Sequence, residues 1–500
     1  MSAGGAITAS FVLYPDRNFI KETKVTEETI ENVLAQRYGS PAMVAIWSPT
    51  QKVILERQLW LAVLKAQQDL GLEVPEGAIK AYEQVIDQVD FDSMAAREKI
   101  TRHDVKARIE EFCELAGFEV IHRGMTSRDL TDNVEQLQIR NALQLVRDRL
   151  VAVLARLTVN AVVYADSPIA GRSHNVAAQV TTLGKRLANA GEEILQAYWR
   201  IEQLLHRYPL RGLKGPMGTA QDQLELLDGD RDGLTILERG VARHLGFDEV
   251  LNSVGQVYPR SLDHEVVSAL KQAAAGPSSL ATTFRLMAGY ELVTEGFKEG
   301  QVGSSAMPHK MNARTCERIN GFNKLLLGYE VMVGQLAGDQ WQEGDVSCSV
   351  VRRVALPDAF FAIDGLIEAF LTVLDEFGSY PAVIERELNR YLPFLATTKV
   401  LSAAVKQGAG RETVYAAVGQ HAKAVALEMR QRGLDQNDLY DRLGTDERIP
   451  FDSEQILQLV GEPIDFIGDA GEQVSRFNVA VSAIVDLYPE AARYAPGGIL

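Results

Sequence analysis

The sequence has little cysteine and no long apolar run. Its three cysteines, Cys113, Cys316 and Cys348, lie far apart, so they fit neither a disulfide framework nor a zinc-ligand spacing. No stretch reaches the about 18 consecutive apolar residues that a membrane span requires. No basic stretch precedes the apolar residues near the N-terminus, which disfavours a secretory signal. We therefore expect a cytoplasmic protein that does not bind a membrane.

Positive charge is also scarce. The chain of 500 residues carries 51 Lys and Arg against 67 Asp and Glu, a formal net charge of −16 at pH 7. This balance disfavours nucleic acid as a partner, because nucleic-acid binding needs a broad basic field. An anionic substrate would need a local cluster of Arg and Lys in its pocket. The 46% of hydrophobic residues are typical of a globular protein, here long enough for one large or several ordinary domains.

Alternating strand patterns are scarce, whereas helical patterns are frequent. Ser48 is a predicted N-cap, with Pro49 at the first helical position and Gln51 completing a capping box. Gly71 is expected to end that helix. From residue 360 to residue 377 apolar side chains recur at steps of three and four, which indicates a long helix packed in a bundle. The fold class is therefore predicted to be mainly α.

Three helical domains are predicted. Residues 1–145 form an N-terminal domain, of which residues 1–35 are a leader of unknown role. Residues 146–375 form a central helix bundle, and its last long helix is expected to begin at Pro357. Residues 376–500 form a C-terminal helical domain. Helices of such length and apolarity usually need partners, so we expect an oligomer.

The segment GSSAMPHKMN, residues 303–312, is a polar interruption of the helical pattern. Glycines upstream of it give a permissive backbone, and Pro308 prevents a continuous helix. A flexible linker is the simplest explanation of such a segment. However, Lys310 and Asn312 stand next to a predicted helix for which Asn312 is a plausible N-cap. A helix N-terminus beside a lysine favours an anion-binding loop, which we place at residues 296–312.

Two further polar segments contain histidine. His174 precedes a long helix that is expected to start near Thr181 or Thr182. A single histidine is more often structural than catalytic, although its pKa range suits a general acid or base. Arg102 and His103 stand at the start of another helix. They can be a solvated helix start or a site for a phosphate or carboxylate.

Three other polar segments are less specific. Thr126 and Asp129 form a capping box, which alone indicates a structural role. Gln256 and Arg260 lie in a polar turn, and Arg353 is available to pair with an anion. Six polar segments on one helical bundle are more than simple connections require.

Several of these segments resemble those of a known family. GSSAMPHKMN is similar to the signature of the fumarase/aspartase superfamily, Gly-Ser-Ser-x-Met-Pro-x-Lys-x-Asn. Other segments resemble, in the same order, those of the adenylosuccinate lyase family: RYGSPAMVAIW, TRHDVKA, GMTSRDLTDN, SHNVAAQVTTLGKR, GQVYPR and RRVALPD. The resemblance covers roughly residues 35 to 430. It implies three mostly helical domains, a homotetramer whose central bundles form one twenty-helix core, and active sites that draw on three chains.

The resemblance also implies an activity. The expected reaction eliminates fumarate from adenylosuccinate to give AMP, and from succinylaminoimidazole carboxamide ribotide to give AICAR. It implies no cofactor and no metal. Ser304 matches the general base, His174 the general acid, Glu317 the carboxylate that orients this histidine, and Lys310 a group that holds the substrate carboxylate. The matching substrate-binding positions are Arg37, Tyr38, Arg102, His103, Asp104, His122, Thr126, Ser127, Gln256, Ser305, Asn312, Ser349 and Arg353.

The sequence departs from the family's usual pattern at several positions. Val176 stands where the family usually has Gln, and Ala313 replaces a common Pro. Gln342, Gly344 and Cys348 stand where many members have His, Arg and His. None of these positions matches the base, the acid or the lysine. The departures leave room for a related substrate.

Two alternatives stay open. The first is a sister lyase that releases fumarate from another amine, such as argininosuccinate, or a cycloisomerase with the same loop. Residues 37–47 and 101–107 argue against it, because they resemble a nucleotide phosphate site. The second is a helical scaffold without catalytic activity, which the presence of all four expected catalytic residues disfavours.

Overall fold

The computed structural model describes residues 31–296, 306–307 and 309–497. The N-terminal part contains the following helices: α1 (Val33–Arg37), α2 (Pro41–Trp47), α3 (Pro49–Asp69), α4 (Ala78–Gln84), α5 (Phe91–Thr101) and α6 (Asp104–Ala116). The predicted N-cap of α3 is confirmed, because the Ser48 hydroxyl accepts a hydrogen bond from the backbone amide of Gln51. The backbone amide of Ser48 donates to the Ala45 carbonyl at 3.2 Å and not to the Gln51 side chain that was expected to complete a capping box. Gly71, just beyond its C-cap, has a positive φ of 86°.

The central part contains the following helices: α7 (Ser127–Val163), α8 (Leu183–Arg207), α9 (Gln221–Leu226), α10 (Arg231–His244), α11 (Ser261–Ala273), α12 (Ala275–Gly289), α13 (Arg314–Gly334) and α14 (Ser347–Glu376). Helix α7 packs against α8 and α14, and α13 packs against α11, α12 and α14. The mainly α fold class is therefore confirmed. Among the described residues no helix is both long and apolar enough to cross a membrane.

The C-terminal part contains the following helices: α15 (Pro381–Leu395), α16 (Thr397–Lys406), α17 (Arg411–Arg432), α18 (Leu439–Gly444), α19 (Ser453–Val460), a 3₁₀ helix (Pro463–Phe466), α20 (Ala470–Leu487) and α21 (Pro489–Ala492). Residues 396–460 bury an apolar core of their own, whereas α20 joins the main core by packing against α7 and α8.

The predicted division into three domains stays a prediction. Helix α7 continues without interruption across residues 145 and 146, where one boundary was expected. The expected start of the last bundle helix at Pro357 is wrong, because α14 begins at Ser347 and contains that proline. The apolar side chains of the predicted pattern between residues 360 and 374 are buried, but so are almost all residues between them, so this part of α14 is buried all round and not along one seam.

Two short antiparallel sheets accompany the helices. Strands β1 (Pro168–Ser173) and β2 (Val176–Thr182) form a hairpin directly before α8. Strands β3 (Val293–Thr294) and β4 (Gly378–Ser379) join the segment after α12 to the segment after α14. Helix α15 packs against both strands of the hairpin. The sheets therefore lie where the bundle meets the C-terminal helices.

Candidate active site

His174 lies at the tip of the β1–β2 hairpin. Ser173 pairs with Val176, so His174 and Asn175 form a two-residue turn with φ values of 51° and 62°. A turn of this kind needs positive φ at both central residues, a conformation that Asn and His adopt more readily than most residues. The helix behind it starts as predicted, since Thr182 is the N-cap of α8. The hairpin itself was not predicted, and the His174 side chain is exposed.

Three of the predicted site residues line one cleft of about 890 Å³ at the start of α13: Lys310, Asn312 and Glu317. The Glu317 carboxylate lies 3.7 Å from the guanidinium of Arg285, which lines the same cleft. His174 is not among the described residues that line it. The general base expected at Ser304, and Ser305 beside it, lie outside the described residues.

The N-terminus of α13 is capped by a residue from before the loop. Glu295 accepts hydrogen bonds from the amides of Thr315 at 2.9 Å and Cys316 at 2.8 Å. The N-cap position itself is Ala313, so the expectation that Asn312 is the N-cap is wrong. Burial, and next the Glu295 carboxylate, raise the pKa of the Cys316 thiol, which therefore stays protonated. Glu295 joins the two ends of the segment that contains the predicted anion-binding loop.

A second group of predicted residues meets near the first turns of α7 and α14. The Asp129 carboxylate accepts from the Thr126 amide at 2.9 Å, which confirms that part of the predicted capping box. Arg128 donates to the hydroxyl of Ser349 at 3.2 Å, so residues near Thr126 and Ser127 lie next to α14. Arg128 was not predicted as a site residue, because an arginine in a first helical turn is usually a solvated side chain.

The two adjacent arginines of α14 have different environments. Arg352 is buried and pairs with Asp263 and Glu135, and these carboxylates outweigh the effect of burial and raise the pKa of the guanidinium. Arg353 is exposed and remains available to a ligand. Arg260, from the predicted polar turn, is also buried and pairs with Asp132. The buried arginines therefore hold the scaffold beneath the predicted substrate-binding surface.

Gln256 faces one of the departures from the family pattern. The backbone amide of Gln256 donates to the backbone carbonyl of Glu343 at 2.6 Å. Gly344 has a φ of 148°, and a Cβ atom there would lie 3.1 Å from the Cβ of Gln256. A side chain at position 344 would thus be strained and crowded in this backbone.

The other departures from the family pattern lie in different environments. Gln342 also has a positive φ, Cys348 is buried, and Val176 is exposed beside the hairpin turn.

His122 accepts a hydrogen bond at Nδ1 from the indole of Trp60, at 3.0 Å. Because an indole can only donate, His122 is neutral and carries its proton on Nε2. Burial lowers its pKa, which favours the same state. His122 can therefore donate to a ligand oxygen but carries no charge.

The segment 102–104 forms the start of α6. His103 caps this helix, with Nδ1 accepting from the Lys106 amide at 3.3 Å. Arg102 has a left-handed backbone with φ of 51°, and Asp104 accepts from Arg108 at 3.3 Å. The structural explanation, a capped helix start, is thus correct for His103. It leaves the exposed Arg102 side chain available to an anion.

Arg37 and Tyr38 lie at the end of α1. The ring of Tyr38 contacts Phe322 edge-on, with centroids 5.1 Å apart. The guanidinium of Arg318, on α13, lies 5.9 Å from the same ring. Arg318 was missed in the sequence, because only the fold brings it to the predicted Arg37–Tyr38 segment.

The predicted residues that the structure describes are considered in three sets, because Lys310, Asn312 and Glu317 line one cleft and His174 does not line it. We call them the hairpin group (His174), the cleft group (Lys310, Asn312, Glu317) and the cation group (Arg37, Tyr38, Arg102, His103, Asp104, His122, Thr126, Ser127, Gln256, Ser349, Arg353). In the described part of the chain, no group of three or more His, Cys, Asp or Glu could hold a metal ion.

Comparison with solved structures defines the class of the fold. The chain superposes on a 3-carboxy-cis,cis-muconate lactonizing enzyme from Pseudomonas putida with a TM-score of 0.77 and 20% identity, covering 91% of this chain and all 100% of that one. The chain also superposes on a fumarate lyase from Mesorhizobium sp. BNC1 with a TM-score of 0.73 and 20% identity. This match covers 89% of this chain and 99% of that one. A family model described as "Lyase" matches residues 37–328. The fold is that of the fumarase/aspartase superfamily of lyases.

Sequence comparison defines the family within this class. A second family model, described as "Adenylosuccinate lyase C-terminus", matches residues 393–477. The adenylosuccinate lyase of Saccharomyces cerevisiae is 35% identical over 449 residues, which are 89% of this chain and 93% of the relative. That of Schistosoma mansoni is 32% identical over 470 residues, 93% and 97% of the two chains. The chain belongs to the adenylosuccinate lyase family, which confirms the resemblance.

Proposed function

We propose that this enzyme eliminates fumarate from adenylosuccinate to give AMP, and from succinylaminoimidazole carboxamide ribotide to give AICAR. Family membership over most of the chain is the observation that carries the proposal. Both substrates have a phosphate and two carboxylates. Lys310 and the arginines of the cation group supply local positive charge that the net charge of −16 does not. No cofactor is needed.

The proposed chemistry is a proton abstraction followed by loss of the amine. Ser304 takes the proton from the carbon next to a substrate carboxylate, and the electron pair forms the double bond of fumarate as the carbon–nitrogen bond breaks. His174 gives a proton to the departing nitrogen. Lys310 and Asn312 stabilise the extra negative charge on the carboxylate. Glu317 orients His174.

We propose that the remaining predicted residues bind the substrate. Arg37, Arg102 and Arg353 are exposed and can pair with its anionic groups. Neutral His122 and the side chains of Gln256 and Ser349 can donate hydrogen bonds. Arg128 and Arg318, which the fold brings to this group, add two further cations.

We propose that the active enzyme is a cytoplasmic homotetramer in which each site draws on several chains. Two observations support this. His174 is not among the described residues that line the cleft of Lys310, Asn312 and Glu317. Helices α13 and α14 expose several large apolar side chains that a partner helix would cover: Leu325, Leu327, Val331, Val350 and Val354. Exposed apolar area of this kind marks protein interfaces.

Fumarate release from different substrates tests the reaction. We expect release from adenylosuccinate and from the carboxamide ribotide, and none from argininosuccinate, because the latter lacks the phosphate that the cation group is proposed to bind. Turnover of argininosuccinate alone would show that the chain is a sister lyase. A tetramer that releases no fumarate from any of them would favour the scaffold alternative.

Replacing the proposed base tests the mechanism. We expect Ser304→Ala to lower kcat by about 10³-fold, in the range typical of losing a general base. Tetramer mass by light scattering and substrate binding by calorimetry should change little. Ser402→Ala, in the exposed part of α16, is the control. Normal turnover in Ser304→Ala would remove Ser304 from the base role.

A further inference from the structure

The turn that carries His174 needs support from outside itself. Both of its residues have positive φ, and residues 173–176 are all exposed. Two non-glycine residues in the left-handed region cost of order 1–3 kcal/mol each, and such conformations persist only where the surroundings fix them. Since the tip is exposed, the described contacts that can fix it within one chain come from the residues at its base.

Arg172, at the base of the turn, makes such contacts. Its Nη1 donates to the backbone carbonyl of Asn175 at 3.2 Å, so the guanidinium forms a hydrogen bond across the turn. Its Nη2 donates to the carboxylate of Glu387 on α15 in a short ion pair. Only 15% of the Arg172 side chain and 11% of the Glu387 side chain is exposed. An ion pair this sheltered from water is less screened than one at the surface.

Two tyrosine rings complete the environment of Arg172. The guanidinium carbon lies 4.9 Å from the ring centre of Tyr290 and 5.7 Å from that of Tyr391. Tyr391 belongs to α15, and Tyr290 lies directly after α12, three residues before β3. Arg172 therefore joins the turn to α15 and to the segment that leads towards the cleft group. Contact with aromatic rings and a forked pair of hydrogen bonds suit the guanidinium of an arginine better than the ammonium of a lysine.

We propose that Arg172 is the residue that positions His174 for proton transfer, by fixing the hairpin turn against Glu387 and the two tyrosines. It acts through His174 and does not contact the substrate. The proposal rests on the proposed function, in which His174 is the general acid. A displacement of about 1 Å in a reacting group can cost about 10²-fold in rate.

Substitution at Arg172 should therefore affect the chemical step. We expect Arg172→Lys, which keeps the charge but loses the fork, to lower kcat about 10-fold, and Arg172→Met to lower it about 100-fold. KM should change less than about threefold, because the binding groups lie elsewhere. Glu387→Gln should give a smaller loss of the same kind. Arg386→Met is the matched control, because Arg386 directly precedes Glu387 on α15 and its side chain is 74% exposed.

A double-mutant cycle with His174→Gln decides whether Arg172 acts through His174. We expect Arg172→Met to have no further effect on the residual kcat of His174→Gln, because two residues that act as one unit are not additive. An equal fold-loss in both backgrounds would overturn the proposal. So would an unchanged kcat in Arg172→Met and Arg172→Lys.

The same cycle separates this proposal from the proposed function. The single variant His174→Gln tests the role of the acid without reference to Arg172, and a normal kcat there would remove His174 from that role. Circular dichroism and tetramer mass are measured for every variant. If Arg172→Met does not fold, the cycle is carried out with Arg172→Lys and Glu387→Gln.

Discussion

Asp364 is a buried carboxylate with an incomplete set of partners. Its Oδ2 accepts from the Ser40 amide at 2.6 Å, whereas Oδ1 is buried without a hydrogen-bond partner among the described residues. Burial raises its pKa to about 6, and the bond from Ser40 opposes this only in part. Ser40 caps α2, directly after the Arg37–Tyr38 segment of the cation group. The charge of Asp364 therefore bears on how firmly that segment is held.

The raised pKa makes the effect of Asp364 depend on pH. Between about pH 4 and pH 6, Asp364 binds a proton in the folded state but not in the unfolded state. The contribution of Asp364 to stability is therefore full below about pH 4 and is lost as the pH rises through about 6. At pH 7.5 the ionised, buried group costs on the order of 3 kcal/mol.

We expect Asp364→Asn to raise the thermal midpoint at pH 7.5 and to give no gain near pH 4, because the amide keeps an acceptor for Ser40 but is never charged. Thermal unfolding measured over this pH range is the test. Asp441→Asn, at an exposed position of α18, is the control. If Asp364→Asn raised the thermal midpoint equally near pH 4 and at pH 7.5, the effect would not be due to ionisation of Asp364.

At the scale of single elements, the start of α13 depends on a residue far away in sequence. Glu295 caps it across 21 residues. Helix starts at Ser48 and Thr126 could be predicted, because each cap and its partner are three residues apart. Glu295 and its helix share no local pattern, so the sequence favoured Asn312 as the nearest capping side chain.

Removing this cap should loosen the start of α13. We expect Glu295→Ala to destabilise the protein by about 1–2 kcal/mol, the usual value for a lost N-cap, and Glu295→Gln by less because it keeps one acceptor. Amide hydrogen exchange at Thr315 and Cys316 should become faster in Glu295→Ala. Glu385→Gln, exposed on α15, serves as the comparison. Unchanged protection of both amides would mean that Glu295 is not the cap in solution.

The hairpin shows a similar limit of sequence analysis. The helix start at Thr182 was predicted, since a threonine before an apolar period is a local signal. The two strands before it were not, because exposed Val176 and half-buried Ala177 do not alternate cleanly. The signal that could have been used is His174–Asn175, since Asn tolerates the left-handed backbone of a two-residue turn.

At the scale of the whole molecule, the fold of one chain brings some of the residues that the sequence selected to one cleft and leaves His174 out of its described lining. The family motifs identified Lys310, Asn312 and Glu317, and the structure brings these three to one cleft. His174 lies on the hairpin instead. No sequence pattern gives the positions of neighbouring subunits, so how the groups meet stays a prediction.

Mixing two inactive variants tests how the groups meet. After subunit exchange between His174→Gln and Ser304→Ala, up to about one site in four should receive both intact groups if they come from different chains. We therefore expect a partial return of fumarate release. Native mass spectrometry confirms the exchange, and each variant incubated alone is the control. No recovery after confirmed exchange would indicate that one chain supplies both groups.

The exposed tip of the hairpin has a consequence for how the activity responds to dilution. A two-residue turn holds His174 at the point of the hairpin farthest from its base, where its side chain is exposed in the described part of one chain. In the proposed tetramer such a group becomes useful only when another subunit is present. The catalytic rate per chain would then follow the association equilibrium of the tetramer. Dilution would lower this rate by dissociating the tetramer, even while every chain remains folded.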